Sequence, residues 1–399
     1  MGIEAALGVR PLLNAAGPLT RLSGMPLHPE VAQAMAEAAT ECARIEDLQA
    51  AAGRYLAEVS GAEAGYVTTG AAAGLALAAA ACMAGFDIAA MDRLPDTRGL
   101  RNEIVIQRAH LTAYTHALRL PGASLVEAGY MGYPGQGITW PWQIEAAISE
   151  RTCAIAYSYG IEQGSIALPE IAAIAHKYNL PVIVDAAAAL PPATNLRAFI
   201  EQGADLVAFS GGKAIGGPQA SGILLGRKDL IESVALQHQD MDVYPQTWTW
   251  RERYLANGAL PGPPHHGIGR PMKVGKEEIV GLVVALKRFL ARDHEAERRE
   301  QHTRLAAIAA ALADLPAARP ELPPLSAHGG YPSLQLHLDE TLLERSTASV
   351  VLALLDDGAP PVAVSQNWLA QSALGINVSA LRPEHDQLLI ERLRGELMR

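Results

Sequence analysis

An α/β fold, with a mainly parallel sheet covered on both faces and a smaller α+β domain behind it, is predicted by three observations. The first is a series of short, nearly continuous apolar runs at residues 103–107, 124–127, 153–157, 181–185, 205–210 and 222–226. Strands that are apolar on both faces belong in sheets buried on both sides. The second is the amphipathic, helix-period stretches between several of them, such as 144–149 and 168–178. The third is composition: 49% of residues are hydrophobic, only 5% are aromatic, and Ala and Gly abound. Small side chains let helices pack closely on a sheet. The 399 residues suffice for one large and one smaller domain with a sizeable core.

Residues 1–45 read as an irregular N-terminal arm, punctuated by Pro11, Gly17, Pro18, Gly24 and Pro26, with a helix from about Pro29. Helical patterns follow over 45–60 and 71–83, and with the strands they form a large domain over 46–260. Residues 240–275, rich in Trp, Pro, Gly and His, read as a long ordered loop. Within it, the Trp248–Tyr254 stretch is either a lid or interface loop or buried packing. Helices over 276–292 and 294–312, a strand over 333–338, and helices over 348–356 and 383–398 make 261–399 a linker helix plus small domain.

The net charge of −10 argues against a broad footprint on nucleic acid or an anionic membrane. The apolar stretch 71–85 is shorter than the about 20 residues a bilayer span needs, so it reads as a buried helix. No basic run followed by an apolar core opens the chain, and the cytoplasm is the expected location. Cys42, Cys82 and Cys153 lack metal-type spacing and are odd in number, so buried thiols are expected rather than disulfides. His265-His266 has no third ligand nearby in sequence, and no metal is expected.

Three pieces carry chemistry. Pro181-Val-Ile-Val-Asp185 is an apolar strand ending in an acid. Open α/β sheets bind ligands at that carboxyl edge. One strand–helix–strand step later, Asp205-Leu-Val-Ala-Phe-Ser210-Gly-Gly-Lys213 delivers a hydroxyl and an amine to the same edge. Thr68-Thr69-Gly70-Ala71-Ala72-Ala73-Gly74 is a small-residue turn opening a helix, where free amides bind phosphate well. Pyridoxal 5'-phosphate (PLP) needs an amine for its aldehyde, a carboxylate to keep its pyridine nitrogen protonated, and an anchor for its phosphate. Lys213 is therefore expected to be a Schiff-base lysine, with glycines on both sides to let the backbone turn beside a bulky ring.

The run Ser210-Gly-Gly-Lys213-Ala-Ile-Gly-Gly-Pro-Gln219-Ala-Ser-Gly resembles the lysine loop of the bacterial selenocysteine synthase family and its smaller D-glucosaminate-6-phosphate ammonia-lyase-like relatives. Leu13-Asn-Ala-Ala-Gly17, Pro181–Asp185 with its Ala-rich turn, and Gly269-Arg270-Pro-Met-Lys273-Val-Gly-Lys-Glu-Glu278 are similar to that family too. The resemblance covers nearly the whole chain. It implies the fold-type I PLP transferase fold, aspartate aminotransferase-like, with a seven-stranded type of sheet. It also implies that Lys213 links to the cofactor, Asp185 pairs with the pyridine nitrogen, and Gly70, Ala71 and Ser210 hold the phosphate with Thr69 close by. His110, after a strand, is expected to stack on the cofactor ring. Arg270 and Lys273, with Arg21 as a weaker candidate, are expected to hold a substrate carboxylate or phosphate. Arg382 reads as a surface residue.

The relatives imply α,β-elimination from a small 2-amino-3-hydroxy acid, yielding a 2-oxo acid and ammonia. Racemisation or epimerisation, aldol cleavage, and non-catalytic PLP binding are the alternatives, because pocket geometry selects the bond that breaks. The selenium-transfer reading implies an extra tRNA-binding region. Here the similarity begins within the first fifteen residues of an acidic chain, so a small amino acid is the expected substrate, not tRNA. A homodimer or larger homo-oligomer is implied by the resemblance alone.

Overall fold

The structure, a computed structural model, describes residues 2–133, 135, 137–326 and 329–398. The chain divides into two compact units, Leu27–Leu290 and Met1–Pro26 with Ala291–Arg399.

The first unit is built on a seven-stranded sheet. Its strands are β1 (Ala64–Thr68), β2 (Glu103–Gln107), β3 (Ser124–Ala128), β4 (Thr152–Ser158), β5 (Val182–Asp185), β6 (Leu206–Ser210) and β7 (Gly222–Gly226). Their order is β1-β7-β6-β5-β4-β2-β3. Only β7 runs against its neighbours, so the sheet is mainly parallel, as expected. The carboxyl ends of β1, β2, β4, β5 and β6 share one edge. The register aligns them: Gly222 lies opposite both Thr68 and Ser210, and Asp185 lies opposite Ser158 and Ala208.

Helix α1 (Ile45–Ser60) packs against β1, and α2 (Gly70–Ala84) packs against β6 and β7. Nearly every residue of α2 is buried. A helix that is apolar all round belongs inside a protein, and its Ala and Gly residues let it approach the strands closely. A Cβ on Gly74 would stand 3.3 Å from Thr68 Oγ1. Among the described residues, no helix is long and apolar enough to cross a membrane.

Strand β1 escapes the sequence reading because Ala-Gly-Tyr-Val-Thr lies between two helical patterns and is an edge strand. Gln49 of α1 completes that edge: its Nε2 donates to Val67 O at 2.9 Å and its Oε1 accepts from Val67 N at 3.1 Å. A side-chain amide here stands in for a missing strand.

In the second unit, Leu13–Ala15 pairs in parallel with Val362–Val364. A three-stranded antiparallel sheet of Ala318–Glu321, Leu334–Leu338 and Ala373–Ile376 lies in the same unit, with helices His294–Leu312, Thr347–Asp356 and Asp386–Leu397.

The divisions drawn from sequence at residues 45 and 260 differ from these units. The arm divides at residue 26 because its strand completes the second unit. Residues 261–290 stay with the large unit because they are tied to it. Gly269 N donates to Gln237 O at 3.0 Å, Thr69 donates to Met272 O, and Arg288 pairs with Glu30. The cysteines differ from expectation in one place. Cys42 is exposed, in the turn between helices Pro29–Ala39 and Ile45–Ser60, whereas Cys153 is buried and Cys82 half-buried. Trp248 is fully buried, stacks on Tyr254 at 5.9 Å, and donates Nε1 to Gln239 Oε1 at 2.9 Å, so the two ends of this stretch are packing, while Glu252 and Arg253 between them are exposed.

Candidate active site

Asp185 ends β5, half-buried, and its Oδ1 accepts the Ala187 amide at 3.1 Å. Burial pushes its carboxyl pKa up, while the Ala187 amide and the Lys213 charge pull the other way. On the neighbouring strand, β6 ends at Ser210 and the chain turns sharply. Gly211 N donates to Ser221 O at 2.8 Å, Gly217 N to Gly211 O at 2.9 Å, and Gly216 N to Lys213 O at 2.9 Å. A Cβ on Gly212 would stand 2.8 Å from Gln219 Cα, so the turn closes only with glycine there. It presents Lys213 half-buried, with its amine pKa pushed down by burial and held up in part by Asp185. Among the described residues no ion pair or hydrogen bond joins the Lys213 amine to the Asp185 carboxylate. They feel each other's charge across a gap.

At the end of β1, Gly70 adopts φ +85°, a left-handed backbone that suits glycine, and opens α2. The first amides of a helix have no partner within it. Thr69, at the N-cap, does not cap them. Its hydroxyl donates instead to Met272 O at 2.5 Å, with Lys273 O at 3.0 Å. Asp185, Ser210, Lys213, Thr69, Gly70 and Ala71 therefore all lie along the carboxyl edge, as the sequence predicts, on three strand ends of one sheet.

His110 departs from expectation. It is fully buried, its Nδ1 accepts from Ser158 N at 3.2 Å, and its Nε2 faces Ile161 O at 3.1 Å. The carbonyl accepts only, so the proton sits on Nε2. Burial drives the imidazole pKa down to about 4. Tyr157 closes on the ring edge-to-face at 4.5 Å. With no face open, His110 does not offer a stacking surface for a cofactor. It pins the loop after β4, a task shared with buried Gln107, which bonds both Ile166 N and Ile166 O.

Arg270 lies on a 3-10 turn, Arg270–Met272, and Lys273 follows it, exposed. The Arg270 guanidinium is held by Asp240 Oδ2 at 2.9 Å. His265-His266, without a further ligand nearby in sequence, meet carboxylates in three dimensions. His265 meets Asp92 at 2.6 Å, and His266 lies 3.7 Å from both Asp240 and Asp242. This exposed group shares Asp240 with Arg270. Arg21 lies in the other unit, exposed on a 3-10 turn, and Arg382 is exposed beside Glu384.

Sequence reasoning missed Tyr66, His238 and Asp240. Tyr66 and His238 are 172 residues apart, yet Tyr66 OH and His238 Nδ1 stand 3.0 Å apart. No local pattern signals such a pair.

The L-seryl-tRNA selenium transferase (SelA) family profile matches residues 19–241. D-glucosaminate-6-phosphate ammonia lyase of Salmonella typhimurium is 35% identical over 72% of this chain and 70% of its own. The 5'-C-glycyluridine monooxygenase-decarboxylase of a Streptomyces species is 32% identical over 98% of this chain and 91% of its own. A solved D-glucosaminate-6-phosphate ammonia-lyase structure is 29% identical, covers 100% of this chain and 98% of its own, and superposes with a TM-score of 0.82. Together with the lysine turn, the strand-end acid and the open helix terminus on one seven-stranded sheet, these likenesses show that the chain belongs to the SelA family of fold-type I, PLP-dependent enzymes.

Proposed function

We propose that this chain is a PLP-dependent lyase that converts a small 2-amino-3-hydroxy acid, or a related amino acid, to a 2-oxo acid and ammonia by α,β-elimination. The observation that carries it is the Lys213–Asp185 pair: an amine and a carboxylate on adjacent strand ends, each pushed by burial towards its neutral form and not joined to the other. The two residues would hold the aldehyde and the pyridine nitrogen of PLP. Lys213 Nζ, its pKa pushed down by burial, would bond the cofactor's aldehyde carbon and would take the substrate's α-proton. Asp185 would accept the pyridine N–H, whose positive charge would offset the cost of burying its carboxylate. The Ser210 hydroxyl and the Gly70 and Ala71 amides receive the phosphate, with Thr69 alongside. Lys273 and the part of Arg270 not engaged by Asp240 face the acidic group of the substrate. When bound, PLP supplies an electron sink for the negative charge that develops at the α-carbon.

The test is spectroscopic first. The protein incubated with PLP should gain a visible absorbance band that Lys213→Ala removes; a holo-protein without such a band would end the PLP reading. A panel of D- and L-amino acids then separates reactions. Release of 2-oxo acid and ammonia supports the lyase, α-proton exchange alone a racemase or epimerase, and appearance of an aldehyde with glycine an aldolase.

A second reading rests on the Streptomyces relative, whose likeness spans 98% of the chain. In it, the substrate loses its α-carboxylate as CO2 and dioxygen is the oxidant. Oxygen uptake and CO2 release on the same panel, without ammonia, would replace the lyase with this activity.

A further inference from the structure

We infer that His238 is a positioning residue that, with Tyr66, clamps the 269–273 segment onto the Gly70 turn and so keeps that turn open for the cofactor phosphate. This rests on the reading of the Gly70 turn as the phosphate site.

His238 ends helix Lys228–His238 and is buried. Its Nε2 lies 2.8 Å from Met272 O. A carbonyl only accepts, so Nε2 holds the proton and donates it. Nδ1 is then an acceptor, and the Tyr66 hydroxyl, 3.0 Å away and buried, donates to it. Tyr66 thus selects the tautomer with which His238 grips Met272. Burial, with Arg270 nearby, pushes the imidazole pKa down, against the pull of its bond to Met272.

Three other ties hold residues 266–270 beside residues 237–241. Gly269 N donates to Gln237 O at 3.0 Å, Arg270 pairs with Asp240 at 2.9 Å, and Met241 N donates to His266 Nε2 at 3.3 Å. The approach leaves no room for side chains: a Cβ on Gly267 or Gly269 would stand 2.7 or 2.8 Å from Gln237 O.

The consequence falls on Thr69. A threonine at an N-cap ordinarily turns its hydroxyl oxygen back to accept from its own helix's second or third amide. Here the Met272 carbonyl, fixed from behind by His238, accepts a hydrogen bond from the Thr69 hydroxyl and draws it away from α2. The first-turn amides are left for an outside anion. Freed from the clamp, Thr69 would cap its own helix and compete with the phosphate.

Two ligands that both bond Lys213 isolate this effect: PLP and pyridoxal, which lacks the phosphate. Their dissociation constants are measured by absorbance titration for the wild type, Tyr66→Phe, His238→Leu and His238→Gln, with a thermal melt of each. The wild type should prefer PLP over pyridoxal. That preference should fall about tenfold in His238→Leu and several-fold in Tyr66→Phe, the scale of a lost buried hydrogen bond. It should survive within about twofold in His238→Gln, whose amide still donates to Met272 O and accepts from Tyr66. An unchanged preference in His238→Leu, or equal loss in the Leu and Gln variants, overturns the positioning role. If His238→Leu does not fold, Tyr66→Phe decides: loss of preference supports the clamp, and an unchanged preference overturns it. A wild type that binds PLP no better than pyridoxal refutes the phosphate site itself, a separate failure.

Discussion

Two aspartates on the central sheet occupy opposite edges and opposite circumstances. Asp205, just before β6 at the amino edge, is buried and fully engaged. Its Oδ2 accepts from Val182 N at 2.8 Å and meets His176 Nε2 at 2.9 Å, and its Oδ1 meets Arg227 at 3.4 Å. Asp185, at the carboxyl edge of β5, has one amide donor among the described residues and a lysine that does not reach it. The second unit follows the Asp205 pattern: Arg304 grips Asp386 at 2.7 Å, and Arg345 meets the fully buried Glu396 at 2.6 Å. Where the fold needs a buried charge only to hold itself together, partners close around it. Where a ligand is to complete the site, the charge waits, and the protein gives up some stability in keeping it so.

The comparison breaks most visibly at Lys213. Lys213→Ala should lower α-proton exchange with an active amino acid by about 10²–10⁴-fold. Exchange is followed in deuterated water; a loss under tenfold would mean that another group moves the proton. The stability side is next. Asp205→Ala leaves the buried Val182 amide without its acceptor, while Arg227 keeps Asp229 at 2.6 Å, and should cost about 1–3 kcal/mol in urea unfolding, whereas Asp185→Ala should cost less.

His110 sharpens the contrast through pH. Its folded pKa, about 4, lies below the 6.5 of a free histidine, so the unfolded chain binds the proton more tightly. The stability it contributes is whole above pH 6.5 and is lost as pH falls from there towards 4, by about 3 kcal/mol in total. Urea unfolding of wild type and His110→Gln between these pH values should show a steeper decline in the wild type. Equal slopes would mean that His110 is not buried as a neutral ring.

The smallest expected effect is a gain. Asp185 has a raised folded pKa, so its ionisation opposes folding as pH rises above the usual carboxylate range. Asp185→Asn in the cofactor-free protein should therefore gain about 1 kcal/mol at neutral pH, and the gain should vanish in acid, where both carry no charge. Thermal melts at the two pH values check it. A loss at neutral pH would place Asp185 with Asp205 among the structural acids.

Much of this was legible before folding. Residues 103–107 and 222–226 are apolar runs with sharp polar or glycine borders, and both are strands with those bounds. The segment 45–60 repeats with helical period and is a helix over that span. Asp185, Ser210 and Lys213 could be assigned to one edge because each ends or follows a strand whose direction the βαβ pattern sets. What failed to show had no local signature. Strand β1 depends on Gln49 of a preceding helix to complete its edge. His110 follows a strand as a ring-stacking residue would, but whether a ring lies in the open or beneath Tyr157 is decided by residues some fifty positions away.

The sequence by itself determined six of the seven strands and the placement of Asp185, Ser210 and Lys213 at one edge, because hydrophobic period and chain connectivity are local properties. Only the tertiary structure decided the protonation preferences, the pinning of the loops and the diversion of the Thr69 hydroxyl. Those depend on burial and on hydrogen bonds between residues as far apart as Thr69 and Met272, which no segment carries alone.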